Sequence, residues 1–144
     1  MSNQVDLQAI SIDPSTGGNP IKTGEVFQLH LIMKNNGPEV LPAGEATCQI
    51  TLNERSIAIP RKRIFQSKFF SFLGAKRTPG NINLFFKSNE DMPVGEEDDL
   101  VFTVRAEAAG QSFATVASSL SATSQSSDVD GANQSVSCEL IIIK

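Results

Sequence analysis

Residues 27–34 read Phe-Gln-Leu-His-Leu-Ile-Met-Lys, and this stretch decides the fold class. Phe27, Leu29, Leu31 and Met33 share one parity, and most of the positions between them are polar. Successive side chains of a β-strand point to opposite faces of its sheet, so the alternation predicts a strand with one buried face. His30 has the other parity, and we expect it to face outward.

The same period of two returns along the rest of the chain, at residues 5–9, 48–52, 82–86, 100–106 and 136–142. Turn-forming residues separate these runs, for example at 35–38, 42–44 and 92–95. A helix is conceivable only at residues 64–73, which are equally compatible with paired strands. The pattern predicts an all-β fold, either a sandwich or a barrel.

Composition supports a hydrophobic core and argues against several functions. The chain has 144 residues, of which 40% are hydrophobic and nine are Phe, enough for a single domain over residues 1–144. Its net charge of −4 argues against nucleic acid as a partner, because phosphate binding needs a positive surface. The absence of Trp and Tyr argues against an aromatic platform for sugars.

The first residues contain neither a basic region nor an apolar run, so no signal peptide is visible. No segment approaches about 18 apolar residues, so we expect no membrane insertion. Two interpretations stay open: a cytoplasmic protein, or a mature or recombinant chain whose export signal has been removed.

Cys48 and Cys138 share the parity of core positions and are both expected to point inward. In an immunoglobulin-like arrangement the third and last strands lie in one sheet with a strand between them. That spacing of about 9–10 Å exceeds the reach of a disulfide. We therefore favour two free, buried thiols, with one disulfide as the alternative.

Charge is divided unevenly along the chain. Residues 55–77 hold seven of the twelve basic residues and no acidic one, and residues 90–107 hold seven of the sixteen acidic residues. Four Phe residues lie within the basic segment, which leaves nucleic-acid or membrane contact as a minor alternative. A solvated edge that blocks strand pairing is a simpler interpretation of the basic segment.

If the basic and acidic segments lie at opposite ends of a sandwich, copies of the protein can instead stack head to tail. The candidate interaction residues are Arg61, Lys62, Arg63, Lys68, Lys76, Arg77, Glu96, Glu97, Asp98 and Asp99.

Residues 128–133 form the best candidate for a metal site. Asp128, Asp130 and Asn133 supply closely spaced oxygen atoms around Gly131, a combination that suits Ca²⁺. The interpretation we favour is a turn whose side chains bond to their own backbone. No other cofactor is expected.

No catalytic set is recognisable in the sequence. His30 is the sole histidine, and no Gly-x-Ser-x-Gly elbow or nucleotide-binding loop accompanies it. A lone histidine on a strand is usually a surface residue, so we expect a protein that is not an enzyme.

The order of segments resembles a bacterial surface repeat. The strand at 24–31 leading into Lys34-Asn35-Asn36-Gly37-Pro38 is similar to the second strand of the "conserved repeat domain" of unknown function eleven, to which the bacterial cell-adhesion-related domain is closely related. The Pro93-Val94-Gly95 turn, the strand at 113–119 and the turn at 128–134 follow in the family's order. Residues 53–90 depart from this pattern, and the chain holds one copy where the family usually has tandem repeats.

The resemblance implies an all-β, immunoglobulin-like Greek-key β-sandwich of about 7–9 antiparallel strands. Such a domain has no catalytic residues and serves as a spacer, adhesive or filament-forming module. We expect a structural or interaction module of a bacterial cell surface or filamentous assembly, most naturally extracellular, whose partners are proteins, including copies of itself. Self-association would use the terminal strands, at 5–9 and 140–143, and the complementary charged segments. The alternative is a carbohydrate-binding module on a β-sandwich.

Overall fold

The computed structural model describes residues 4–14, 20–61, 65–120, 127–128 and 135–144. In this part of the chain the alternating segments form strands, and no helix is present. The strands are β1 (Gln4–Val5), β2 (Leu7–Pro14), β3 (Ile21–Lys22), β4 (Val26–Asn35), β5 (Ala46–Asn53), β6 (Ile57–Ala58), β7 (Phe65–Gln66), β8 (Phe70–Thr78), β9 (Asn81–Ser88), β10 (Glu97–Ala106), β11 (Gly110–Leu120), β12 (Ser127–Asp128) and β13 (Ser135–Ile143).

The strands pair into two main sheets that face each other. One sheet has the order β2-β4-β10-β6, with β7 also paired to β10, and the other has the order β3-β13-β11-β5-β9-β8. The eight strands of eight residues or more pair with one another only antiparallel, whereas the pairings of the short strands β1 with β12 and β3 with β13 are parallel. The predicted all-β sandwich is therefore confirmed, and the undecided segment 64–73 contributes β7 and β8.

The two inner faces bury the predicted side chains. On β4, Phe27, Leu29, Leu31 and Met33 are at most 3% exposed. The opposite parity of His30 places it on the outer face, where its side chain is 35% exposed. Both predictions made from residues 27–34 are confirmed.

Four Phe rings join the two sheets. Phe102 of β10 lies 5.1 Å from Phe72 and 6.0 Å from Phe86, measured between ring centroids, and Phe65 lies 5.5 Å from Phe86. Phe65 and Phe72 come from the basic segment, so its aromatic side chains pack against the core. The idea that these rings interleave with basic residues on a binding surface is wrong for this reason.

Both terminal strands are part of the core. Leu7 and Ala9 of β2 are at most 5% exposed, and β2 is paired with β4. Leu140 and Ile142 of β13 are at most 2% exposed, and β13 is paired with β11 and with β3. Donating either strand to a neighbour would therefore open the sandwich.

Candidate interaction surface

The acidic segment lies where β10 begins, at one end of the sandwich. Asn35, at the end of β4, connects the chain segments that meet here. Its Nδ2 donates hydrogen bonds to the carbonyl oxygens of Glu39 and Met92, each at 2.9 Å. The backbone N–H of Asn35 donates to the carbonyl of Glu96 at 3.2 Å. Glu96, Glu97 and Asp99 are exposed there, and we call this the acidic end.

Asp98 differs from its acidic neighbours because it points inward. It is 1% exposed and accepts hydrogen bonds from Ser67 Oγ at 2.6 Å, Lys68 N at 3.0 Å and Phe69 N at 3.1 Å. These bonds hold the bend that carries the chain from β7 in one sheet to β8 in the other. Asp98 is thus used inside the fold and is not available to a partner.

Asp99 contacts His30 on the outer face of the same sheet. His30 Nδ1 lies 3.2 Å from Asp99 Oδ1 and 3.3 Å from Oδ2. The contact between His30 and Asp99 links β4 to β10. It runs diagonally across the ladder between these strands, because the residue directly opposite Asp99 is Ile32.

The basic residues are spread over more than one region. Lys76 and Arg77 are exposed on β8, the edge strand of the six-stranded sheet. Lys68 instead lies at the acidic end, with Nζ 4.0 Å from Glu96 Oε2. Arg61 is exposed, and Lys62 and Arg63 lie outside the described residues.

Lys76 and Arg77 lie at the other end of the sandwich from Glu96 and Glu97. Arg77 is opposite Ile82, and Ile82 is opposite Leu52 near the end of β5. The acidic end lies at the start of β5, because Met92 is bridged to Leu41 and the N–H of Ala46 donates to Ser88 Oγ. Six residue steps separate Ala46 from Leu52, which corresponds to about 20 Å along a strand. We call the region of Lys76 and Arg77 the basic end.

The candidate calcium site lies mostly outside the described residues. Asp130 and Asn133 lie outside the described residues, and of Asp128 the structure gives the backbone pairing with Val5. Within the described residues, no three His, Cys, Asp or Glu side chains are grouped to hold a metal ion. The same residues contain no helix long and apolar enough to cross a membrane.

The two cysteines lie on β5 and β13, with β11 between them. Cys48 is opposite Ser118 and Cys138 is opposite Ala114, so they are separated by two strand spacings and by four residues along β11. Two spacings amount to about 9.6 Å, beyond the roughly 7 Å that a disulfide spans between Cα atoms. Both thiols are free, as expected, although Cys138 is only partly buried.

Burial keeps both thiols protonated. It raises the pKa of Cys48 to about 12, and the Asp98 carboxylate acts in the same direction. Burial also raises the pKa of Cys138 to about 11, with Asp13 adding to the increase and a hydrogen bond to Ala114 opposing it. Because the thiolate is the nucleophile, neither cysteine is prepared for catalysis.

We expect native protein at pH 8 to resist alkylation by iodoacetamide at both cysteines, and denatured protein to react at both. The pKa values exceed the ordinary 9.0, so raising the pH above 9 should first expose Cys138 to reaction and should destabilise the fold. Mass spectrometry of peptides after timed labelling measures each rate. Equal labelling of Cys48 in native and denatured protein at pH 8 would contradict the burial that the structure gives it.

Comparison with solved structures finds the same sandwich in cohesin and CARDB (cell adhesion related) domains. A cohesin module from a family 33 glycoside hydrolase of Clostridium perfringens is 13% identical, with a TM-score of 0.58, over 98% of this chain and 96% of that one. A CARDB domain from Pyrococcus furiosus, solved in complex with di-metal ions, is 10% identical, with a TM-score of 0.58, over 99% of this chain and 90% of that one. Its solution structure gives 11% identity and a TM-score of 0.57, over 98% of this chain and 97% of that one.

No protein-family model and no curated protein matches the chain. At these identities the likeness shows a shared fold. The expected resemblance to a cell-adhesion-related domain is therefore confirmed for the fold, and membership of the conserved repeat family stays a prediction.

Proposed function

We propose that this chain is a non-enzymatic interaction module of a bacterial surface or filamentous assembly, and that its copies associate head to tail through their charged ends. The observation that carries the proposal is the separation of exposed Lys76 and Arg77 from exposed Glu96 and Glu97 by about 20 Å along the strands. Opposite charges at opposite ends favour a heterologous contact, which repeats from copy to copy.

The burial of the terminal strands β2 and β13 also favours association through the charged ends over association by strand exchange. Since β2 and β13 are paired and buried, exchanging them would cost core packing, whereas an end-to-end contact leaves the sandwich intact. Complementary surface charges steer association and set its register. The likeness to cohesin and CARDB domains is in keeping with a module that has no active site.

Charge reversal at each end tests the proposal. We expect wild-type protein to self-associate at low salt and to dissociate near 1 M salt, where the screening length falls to about 3 Å. Lys76→Glu with Arg77→Glu should weaken association about tenfold or more, and Glu96→Lys with Glu97→Lys should do the same. Combining all four substitutions should restore association, because the ends are again complementary. Sedimentation velocity at several concentrations measures each case.

A matched control uses Lys68→Glu with Lys87→Glu, two exposed residues that lie at the acidic end. This variant changes the net charge as much as the variant at the basic end, yet it should keep self-association. A monomer at every salt concentration, or equal loss in the control, would overturn the head-to-tail proposal.

A further inference from the structure

The outer face of the six-stranded sheet carries a depression of about 230 Å³, at the same end of the strands as Lys76 and Arg77. It opens where the ladder between β5 and β11 ends, at Leu52 and Ala114. Buried Leu52 and Ser112 form its floor. Its walls are Thr51, Asn53, Asn81, Gln111, Phe113 and Thr115.

The walls are polar but uncharged. They present hydroxyl and amide groups, and no Asp, Glu, Lys, Arg or His lines the depression in the described part of the chain. A site built for a phosphate, a carboxylate or a metal ion needs charged groups or grouped ligands. The lining instead suits a neutral molecule with many hydroxyl groups.

Phe113 gives the depression an apolar wall that is open to solvent. Its side chain is 53% exposed, and no other Phe in the described residues is comparably exposed. Ile141, which is 39% exposed, is diagonal to it across the β11–β13 ladder. A ring held at a polar pocket is the arrangement that stacks on the C–H face of a sugar while neighbouring groups bind its hydroxyls.

Hydrogen bonds within the protein already orient two of the polar side chains around Phe113. Gln111 Nε2 donates to Glu139 Oε2 at 2.7 Å, which leaves the Gln111 carbonyl oxygen to accept. Asn53 Oδ1 accepts from the backbone N–H of Arg55 at 2.9 Å, which leaves the Asn53 amide hydrogens to donate. The side chain of Asn81 bonds to no described residue and offers both a donor and an acceptor. Donors and acceptors are thus placed side by side, as a sugar hydroxyl requires.

We propose that this depression binds a neutral hexose unit of a glycan, with Phe113 stacking on the ring and Asn53, Asn81 and Gln111 binding its hydroxyls. The site lies on a sheet face, at the other end of the strands from Glu96 and Glu97. Its failure and the failure of head-to-tail association are therefore distinguishable. The Phe113 ring also gives the site an aromatic surface, although the chain has no Trp or Tyr.

A glycan array containing neutral and acidic oligosaccharides, followed by titration calorimetry with the best binders, tests this site. We expect binding to neutral hexose polymers that is insensitive to salt. Phe113→Ala should weaken it about tenfold or more, and Asn81→Ala should weaken it by a smaller factor. Phe113→Trp should keep binding, because the larger ring preserves the stacking surface.

Leu73→Ala is the matched control, since Leu73 is 62% exposed on the same sheet but outside the depression. Circular dichroism verifies that each variant is folded. Binding restricted to acidic glycans, binding to no glycan, or an equal loss in Leu73→Ala overturns the proposal. The Glu96→Lys, Glu97→Lys variant, which is altered at the other end of the strands, should bind glycan normally, and this separates the site from self-association.

Discussion

Phe102→Ala is expected to lower the free energy of unfolding by about 4 kcal/mol. Phe102 is fully buried, and its ring contacts Phe72, Phe86 and Phe65 at centroid distances of 5.1, 6.0 and 6.3 Å. Since these rings come from both sheets, the substitution leaves a cavity at the place where the layers are joined. Urea unfolding followed by circular dichroism measures the change.

Phe113→Ala serves as the control for this prediction. The same side chain is removed, but at a position that is 53% exposed, so we expect a loss of at most about 1 kcal/mol. Comparable losses in the two variants would show that the ring cluster is not what holds the sheets together.

Asp98→Ala is expected to cost about 3 kcal/mol, the second largest effect. The substitution removes the acceptor of three hydrogen bonds and leaves the N–H groups of Lys68 and Phe69 without their partner. Asp98→Asn keeps the shape and one acceptor oxygen, so it should fall between wild type and Asp98→Ala. Thermal and urea unfolding of the three proteins give the order.

The neighbouring Glu97→Ala controls for the removal of negative charge. Glu97 is exposed, and we expect a change within about 0.5 kcal/mol. If Asp98→Ala is no more destabilising than Glu97→Ala, the bend between β7 and β8 does not depend on this carboxylate.

Much of the fold could be predicted because one face of each long strand is buried. The parity of Phe27, Leu29 and Leu31 is visible in the sequence, and so is the outward position of His30. The positions of Cys48 and Cys138 followed from the same parity together with the strand order of an immunoglobulin-like sheet. Local alternation thus carries the information that fixes which side chains enter the core.

The candidate surfaces were harder to predict because they depend on contacts between distant segments. The run of acidic residues at 96–99 predicts that Asp98 is an interaction residue like its neighbours, yet its parity matches buried Leu100. That shared parity is a signal that could have separated it. The pairing of Lys68 with Glu96 could not be predicted, since it depends on how the chain crosses between sheets.

The depression at Phe113 was also invisible in the sequence. Asn53, Asn81 and Gln111 are brought together by the registers of three strands, and none of them belongs to a local motif. The absence of Trp and Tyr argues against a sugar platform, although a single exposed Phe is sufficient to supply a ring. Composition describes the average of the chain, whereas a site depends on a few positions.

The strand between the two cysteines makes folding indifferent to the redox state of its surroundings. Because β11 keeps Cys48 and Cys138 apart, no disulfide forms between them on oxidation and none is lost on reduction. Addition of a reductant should therefore leave the melting temperature unchanged. The sandwich therefore needs no disulfide isomerase to fold, and its stability depends on side-chain packing and hydrogen bonds.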